Sequence, residues 1–254
     1  MEGDAKRYFR DELREARSAA FRDAEGFQAL VFAIERLGST LSRKAGTLGN
    51  YRDTLVDLAL QSALAENIPA LSPEWHTPFA SLYKLVKQGR NDALHQGAYA
   101  RLVTEHAVQL SLVLEDALME GETLVRDFMV RGVVCAVPWQ PLSAVRQLML
   151  TSSFSFLPLW AKWESQRRWL LLSDYGVAKF LRASGSGAER NKRLATQVQV
   201  AIQNGALDFQ EAEYCNPHDP ISTVLAGAVR RIVLVRDPEN ADHLVGVVTP
   251  FDVL

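Results

Sequence analysis

The first half of the chain spaces its apolar residues as helices do. They recur every three or four positions at Leu30, Ile34, Leu37 and Leu41, and again at Val103, Ala107, Leu110 and Leu114. This spacing is typical of amphipathic helices that turn one face toward a core. The segment 68–78 breaks the pattern with three prolines, which predict a loop. Residues 1–122 are therefore expected to form a bundle of four or five helices.

From about residue 125 the pattern changes to short apolar runs, polar turns and short helices, and it occurs twice. Pro141 aligns with Pro220 and Ser143 with Ser222 at an offset of 79 residues, and Ser173 aligns with Thr249 at an offset of 76. Such repetition predicts two copies of one structural unit. Each copy has the pattern of a β-α-β-β-α unit.

The expected fold class is therefore α+β with two domains. An all-α helical bundle at 1–122 would precede the tandem pair at 123–254. Within the pair, we expect a first module at 123–183, a linker with a helix at 184–204, and a second module at 205–254.

Charge and composition narrow the classes of partner. The formal net charge is −2, and residues 1–122 hold 14 basic and 18 acidic side chains. Any contact with nucleic acid must therefore use a local patch. No apolar run approaches the roughly 20 residues that span a bilayer, and the charged N-terminal segment lacks the apolar core of a signal peptide. We expect a cytoplasmic protein with no membrane partner.

Cysteine and histidine usage argues against disulfides and metals. Two cysteines, Cys135 and Cys215, are too few for a disulfide framework and fit a reducing compartment. The five histidines are never three or four residues apart, and there is no Cys-x-x-Cys pattern. A dedicated metal site is therefore not expected.

A polar cluster interrupts the helical pattern at Arg90-Asn91-x-x-x-His95. On a continuous helix Asn91 and His95 would share a face. A histidine, whose pKa is ordinarily about 6.5, can exchange a proton near neutral pH. An arginine presents a planar fork of donors to a phosphate, and an asparagine can orient a ribose. The cluster suits RNA cleavage, although three ordinary surface residues would give the same pattern, and both interpretations stay open.

The cluster resembles the R-N-x-x-x-H motif of the HEPN superfamily, small helical bundles that include toxin and antiviral ribonucleases. The resemblance covers roughly residues 7–122 and places the motif at the start of the last long helix. It implies a metal-independent endoribonuclease in which His95 is the acid and base, Arg90 stabilises the transition state and Asn91 orients the substrate. It also implies a polar partner on an earlier helix, either Glu35 or the adjacent Arg36, and a homodimer whose two motifs form one cleft.

The stretch VGVVTPFD at 245–252 resembles the G-h-h-T-x-x-D ending of cystathionine-β-synthase (CBS) modules, where h is apolar. The resemblance implies a tandem CBS pair with an adenine nucleotide (ATP, ADP or AMP) as regulatory ligand. Gly246 belongs to the motif, and Thr249 would cap a helix whose N-terminus favours phosphate. Asp252 would accept hydrogen bonds from the ribose hydroxyls. Asn216 lies in the stretch expected to contact the adenine.

The first copy departs from this ending. Gly176 stands where the ribose-binding acid is expected, and Asp174 has the wrong spacing to replace it. One nucleotide site per chain is therefore expected. A CBS pair that serves dimerisation alone remains the alternative.

Together the two resemblances predict an endoribonuclease regulated by an adenine nucleotide, with RNA as substrate and no cofactor in catalysis. The expected setting is a toxin or antiviral effector with an antitoxin-like or defence partner. The alternative is a non-catalytic nucleotide-sensing protein, in which the bundle serves as a dimerisation or scaffold module.

Overall fold

The computed structural model describes residues 1–22, 26–92, 97–182, 186–226 and 232–254. These residues divide into two compact units, Met1–Glu122 and Thr123–Leu254. The whole is an α+β chain with many helices and two small sheets.

The regular secondary structure in the described residues of the first unit is all helical. Its helices are α1 (Gly3–Arg22), α2 (Phe27–Ser42), α3 (Leu48–Ala59), α4 (Asn67–Leu71), α5 (Phe79–Asp92) and α6 (Gly97–Met119). Both apolar stripes recognised in the sequence lie in or against one hydrophobic core. Burial of those stripes therefore explains why α2 and α6 form where the spacing predicts them.

The proline-rich segment is only partly a loop. Helix α4 begins at Asn67 and ends at Leu71, so the prediction of a loop from residue 68 is wrong at its start. Pro69 is the third residue of this helix. A proline is tolerated there because the first-turn N–H groups have no partner within the helix.

Glycines let two pairs of helices approach closely. A Cβ on Gly38 of α2 would lie 2.6 Å from the Cβ of Tyr51 on α3. A Cβ on Gly89 of α5 would lie 2.4 Å from the side chain of Val103 on α6. Gly89 directly precedes Arg90, so the close contact of α5 with α6 helps to fix the backbone beside the motif.

The second unit contains the two repeats. Its elements are α7 (Val125–Phe128), α8 (Leu142–Ser152), β1 (Phe156–Trp163), β2 (Gln166–Ser173), α9 (Asp174–Arg182), α10 (Gly187–Ala195), α11 (Val198–Gln203), β3 (Gln210–Glu211), β4 (Glu213–Cys215), α12 (Ile221–Ala226), β5 (Val233–Arg236), β6 (Leu244–Val248) and α13 (Pro250–Val253). One sheet has the order β1-β2-β3 and the other β4-β5-β6.

The two repeats share a plan but differ in their first strand. In the second repeat, β4 runs parallel to β5, and β6 runs antiparallel to β5. In the first repeat, the apolar run before α8 contributes a single parallel bridge between Ala136 and Leu159. The antiparallel strands β1 and β2 follow, and helix α9 closes the repeat.

Segments that flank each repeat pack against the other one. The backbone of Val125 donates to Asp219 over 2.9 Å, and Val130 forms a bridge with Val247, so the lead segment lies on the second repeat. Conversely, Val198 and Ile202 of α11 belong to the core of the first repeat. The segment that precedes the first repeat therefore packs on the second repeat, and helix α11, which precedes the second repeat, packs on the first.

Among the described residues, no helix is long and apolar enough to span a bilayer.

Candidate functional site

Arg90 lies in the last turn of α5, which ends at Asp92, and α6 begins at Gly97. The expectation that the motif opens the last long helix is therefore wrong, because the motif begins at the end of the preceding one. His95 lies outside the described residues, and so does the side chain of Asn91. Of the three motif side chains, the structure describes that of Arg90.

Glu35 of α2 anchors Arg90. The Arg90 Nη1 lies 3.0 Å from the Glu35 Oε1, and the backbone N–H of Leu48 donates to the same oxygen over 3.0 Å. The carbonyl of Leu48 in turn accepts the hydroxyl of Tyr83 on α5. Burial, and then the nearby charge of Glu35, raises the pKa of Tyr83 well above its usual value, so this hydroxyl stays a donor. The carboxylate therefore joins α2, the start of α3 and the end of α5.

A second ion pair links α1 to α2 beside this network. Arg36 contacts the Oε1 of Glu12, whose side chain is only 11% exposed. Sequence reasoning missed Glu12. The signal available was its place next to the apolar Leu13, which is buried in α1. A carboxylate in such a position is costly to bury without a cationic partner.

In the second unit, Thr249 and Asp252 form a reciprocal cap on α13. The Thr249 N–H and hydroxyl both donate to the Asp252 Oδ2, over 2.7 and 2.8 Å. Asp252 is 7% exposed. Helix α13 spans Pro250–Val253, and the phosphate contact expected at its start stays a prediction.

A largely apolar cavity of about 420 Å³ adjoins this cap. It is lined by Val130, Gly132, Val133, Val134, Ser153, Phe154, Ser155, Phe156, Pro158, Ile232, Val247, Thr249 and Asp252. The cavity thus combines mostly apolar side chains with a carboxylate and a few hydroxyls, which is the usual make-up of a small-molecule site.

Two residues predicted for this site are not among the described residues that line the cavity. A Cβ on Gly246 would lie 2.7 Å from the Met129 Sδ, so this glycine serves close packing. Asn216 is outside the cavity lining that the structure describes, and its N–H donates to the Asp219 Oδ2 over 2.7 Å. Its neighbour Cys215 is buried, and burial raises the pKa of that thiol to about 11.

Most of the cavity wall comes from residues that sequence reasoning did not select. Phe156 and Ile232 line the cavity and are equivalent in the repeat at the offset of 76 residues. Pairing equivalent strands across the repeat could have found them. Ser153, with a left-handed φ of 55°, ends α8 and turns the chain into the cavity wall. No sequence signal marked that conformation.

The strand-to-helix corner of the first repeat, where α9 follows β2, has different contacts from the corner where α13 follows β6. The Ser173 Oγ accepts the Gly176 N–H over 3.0 Å, and the Asp174 Oδ1 accepts the Tyr175 N–H. A Cβ on Gly176 would lie 2.7 Å from the carbonyl oxygen of Asp208. The backbone of Asp208 therefore occupies the space that an acidic side chain would need.

No group of three or more histidine, cysteine, aspartate or glutamate side chains is placed to hold a metal ion among the described residues.

No family model and no curated protein matches this chain. Solved structures of CBS-domain proteins do match about half of it. A CBS-domain protein of unknown function from Bacillus anthracis is 15% identical, covers 52% of this chain and 90% of its own, and gives a TM-score of 0.39. A CBS-domain containing protein from Agrobacterium tumefaciens is 16% identical over 52% of this chain and 90% of its own, with a TM-score of 0.37. The complex of CBSX2 with AMP is 17% identical over 51% and 92%, with a TM-score of 0.37.

Proposed function

We propose that residues 123–254 are a regulatory module that binds an adenine nucleotide. The observation that carries this is the cavity of about 420 Å³ whose lining includes Thr249 and Asp252. Its apolar side chains suit the faces of a purine. The lining places the carboxylate of Asp252, a group that can accept hydrogen bonds from ribose hydroxyls, beside this apolar surface. The resemblance of residues 245–252 to the CBS ending supports the same ligand class.

Calorimetric titration of the full chain with AMP, ADP and ATP tests this. Wild type should bind one nucleotide per chain, and Asp252→Ala should weaken binding about tenfold or more, because a hydrogen bond to a charged group is lost. Asp174→Ala is the matched control and should bind as wild type, since Asp174 lies at the corresponding corner of the first repeat. Equal affinity in all three proteins would place the nucleotide elsewhere.

The first unit is proposed to be a metal-independent endoribonuclease that this module regulates. His95 would exchange the proton, Arg90 would stabilise the charge on the phosphate, and Asn91 would orient the substrate. The Glu35–Arg90 ion pair favours this assignment, because it holds the guanidinium in one position while 36% of the Arg90 side chain stays exposed. A pre-positioned cation needs little reorganisation during the reaction. Glu35 is then a positioning residue.

A homodimer that joins two motifs in one cleft belongs to the same proposal. A nucleotide can regulate that cleft only if it binds two of its states with different affinity. Activity as a toxin or antiviral effector, with an antitoxin-like or defence partner, would follow from RNA cleavage of this kind.

RNA cleavage in the presence of a chelator, with and without AMP or ATP, tests the catalytic part. Arg90→Ala and His95→Ala should each lose most of the activity, because general acid–base catalysis alone contributes about 10²- to 10⁴-fold. His106→Ala is the control for loss of a histidine from the same unit and should stay active. Cleavage by the His95→Ala protein at the parental rate would exclude the motif as the catalytic centre.

The second candidate is a non-catalytic nucleotide-sensing scaffold. The observation that favours it is that Glu35 also accepts the Leu48 N–H, so the carboxylate ties three helices whether or not Arg90 meets a phosphate. Absence of cleavage together with nucleotide binding would support this candidate, and light scattering with and without AMP would then measure whether the ligand changes assembly.

A further inference from the structure

An open cavity of about 540 Å³ lies beside the Glu35–Arg90 ion pair in the first unit. Four residues of α2 at one-turn spacing form one wall, and the start of the next helix with its preceding loop forms the other. The lining residues are Phe32, Glu35, Arg36, Ser39, Ala45, Gly46 and Tyr51. Glu35 belongs to this wall and also forms the ion pair with Arg90, so one side chain connects the cavity to the motif.

The loop wall of this cavity is fixed by hydrogen bonds. The carbonyl of Lys44 accepts the Ser39 hydroxyl over 3.1 Å and the Tyr51 hydroxyl over 2.9 Å. Arg43, with a left-handed φ of 55°, reverses the chain after α2. Donors from both flanking helices therefore hold the loop, and the cavity is formed before any ligand arrives.

Two side chains one helical turn apart give the cavity its chemistry. Phe32 is 57% exposed, although α2 otherwise buries most of its large apolar residues. The side chain of Arg36 is 63% exposed, while Glu12 holds part of its guanidinium. Side chains four residues apart on a helix lie about 5 to 6 Å from each other at their Cβ atoms. An aromatic face and a guanidinium at that spacing match the base and the phosphate of one nucleotide.

We propose that this cavity binds one nucleotide of single-stranded RNA next to the phosphate that is cleaved. Phe32 stacks on the base, and Arg36 contacts the adjoining phosphate. The inference rests on the proposed RNA cleavage, which it extends by naming a substrate contact outside the motif. The RNA must be single-stranded, because a base has to leave its own stack to lie on a protein ring.

The net charge of the first unit determines which interaction must supply the affinity for RNA. Residues 1–122 hold 14 basic against 18 acidic side chains, so the overall field does not attract RNA. Stacking must therefore supply most of the affinity at this position. Each phosphate contact on a single strand contributes about −0.7 to the slope of log K against log salt. Loss of the Arg36 contact should make that slope shallower by about this amount.

Fluorescence anisotropy with a labelled 2′-O-methyl oligouridylate tests the proposal on the full chain. This probe lacks the free 2′-hydroxyl that metal-independent cleavage requires, so binding is measured apart from catalysis. Phe32→Ala should weaken binding about fivefold or more, as loss of one base–aromatic stack does, and Phe32→Trp should retain it. Trp75→Ala is the matched control, because Trp75 is 80% exposed and lies outside the cavity lining that the structure describes.

The Arg36 contact needs a double variant, since removal of Arg36 alone would leave Glu12 without its cation. Glu12→Gln combined with Arg36→Gln keeps the pair neutral and should lower both the affinity and the salt slope. On a cleavable RNA, Phe32→Ala should raise KM and leave kcat unchanged.

The outcomes separate this inference from the proposed activity. If wild type cleaves RNA while Phe32→Ala binds the probe as wild type does, the subsite is wrong and the activity stands. If wild type binds the probe without cleaving RNA and Phe32→Ala binds it less, the cavity is an RNA-binding site and the catalytic proposal is wrong. If wild type neither binds nor cleaves, both are wrong.

Discussion

The same strand-to-helix corner occurs in both repeats of the second unit, with different contents. In the second repeat, the Thr249 N–H and hydroxyl bond to the carboxylate of Asp252 beside a cavity. In the first, Ser173 caps the helix through the N–H of Gly176, and a backbone carbonyl lies where a side chain would begin. Both corners keep a hydroxyl residue before the helix, because the cap is a local requirement.

The difference at the fourth position of the corner is decided by tertiary packing. Asp208 belongs to the segment that crosses from the first repeat toward the second, and its carbonyl approaches Gly176. An acid cannot fit there without displacing backbone. The two copies therefore differ at this position because a connecting segment packs against one of them, although their local sequences follow the same plan.

The largest effect is expected from Gly176→Ala. The new Cβ would lie 2.7 Å from the Asp208 carbonyl oxygen, which belongs to backbone and cannot move aside by a rotamer change. The free energy of unfolding should fall by about 2 to 3 kcal/mol. Urea denaturation measures it, with Gly187→Ala as control, because nothing lies within 4 Å of a Cβ there. Equal stability of the two variants would refute the packing explanation.

Asp252→Ala should have the next largest effect on stability. It removes the acceptor for both the Thr249 N–H and hydroxyl, and loss of such a cap costs about 1 to 2 kcal/mol. Asp174→Ala should cost less, since Asp174 is exposed and bonds an adjacent N–H. Thermal unfolding without nucleotide compares them. A smaller loss for Asp252→Ala than for Asp174→Ala would contradict the account of the two corners.

Substitutions in the hairpin turn of the first repeat are expected to raise the free energy of unfolding. The turn between β1 and β2 places Glu164 at a φ of 48° and Ser165 at a φ of 74°. Asn and Gly adopt these left-handed values more readily, so Glu164→Asn with Ser165→Gly should stabilise the protein by about 0.5 to 1 kcal/mol. Chemical denaturation would detect it, and a loss of stability would show that these side chains make contacts that outweigh the strain.

The smallest effect concerns acid sensitivity in the loop between β5 and β6. The Glu239 N–H, and then His243, lower the pKa of Asp237. A lowered carboxyl pKa stabilises the fold above the unfolded pKa of about 3.9 and loses that contribution as pH falls through the folded value. Asp237→Asn should therefore be less stable than wild type at pH 7, and the difference should shrink below about pH 4. Melting curves from pH 7 to pH 2.5 would test this, and a constant difference would exclude the linkage.

Features that depend on residues close together in the chain could mostly be predicted from the sequence. The stripes of α2 and α6 were recognised because helical burial needs apolar residues every three or four positions. The Thr249 cap was recognised because it depends on residues close together in the chain. The loop expected from residue 68 was partly wrong, because a proline in the first turn does not prevent a helix such as α4.

The contacts of the candidate sites were harder to predict. Glu35 was selected on a resemblance, whereas its bonds to Arg90 and to the Leu48 N–H join residues far apart in sequence. Glu12 and Phe32 carry no motif and became visible only through burial and exposure in the folded bundle. Gly246 and Asn216 were selected from motif positions, but neither is among the described residues that line the cavity. Gly246 packs against Met129, and the Asn216 N–H donates to Asp219.

By itself, the sequence determined the helical character of the first unit and the repeated plan of the second, over the residues that the structure describes, and the hydroxyl residues that cap both corners. These features follow from short-range periodicity and backbone hydrogen bonding. The tertiary structure alone decided which flanking segment packs on which repeat, why Gly176 excludes an acid, and which side chains surround each cavity. These features depend on contacts between residues tens of positions apart, and the free energy of such contacts is set by the space and partners that the folded chain provides.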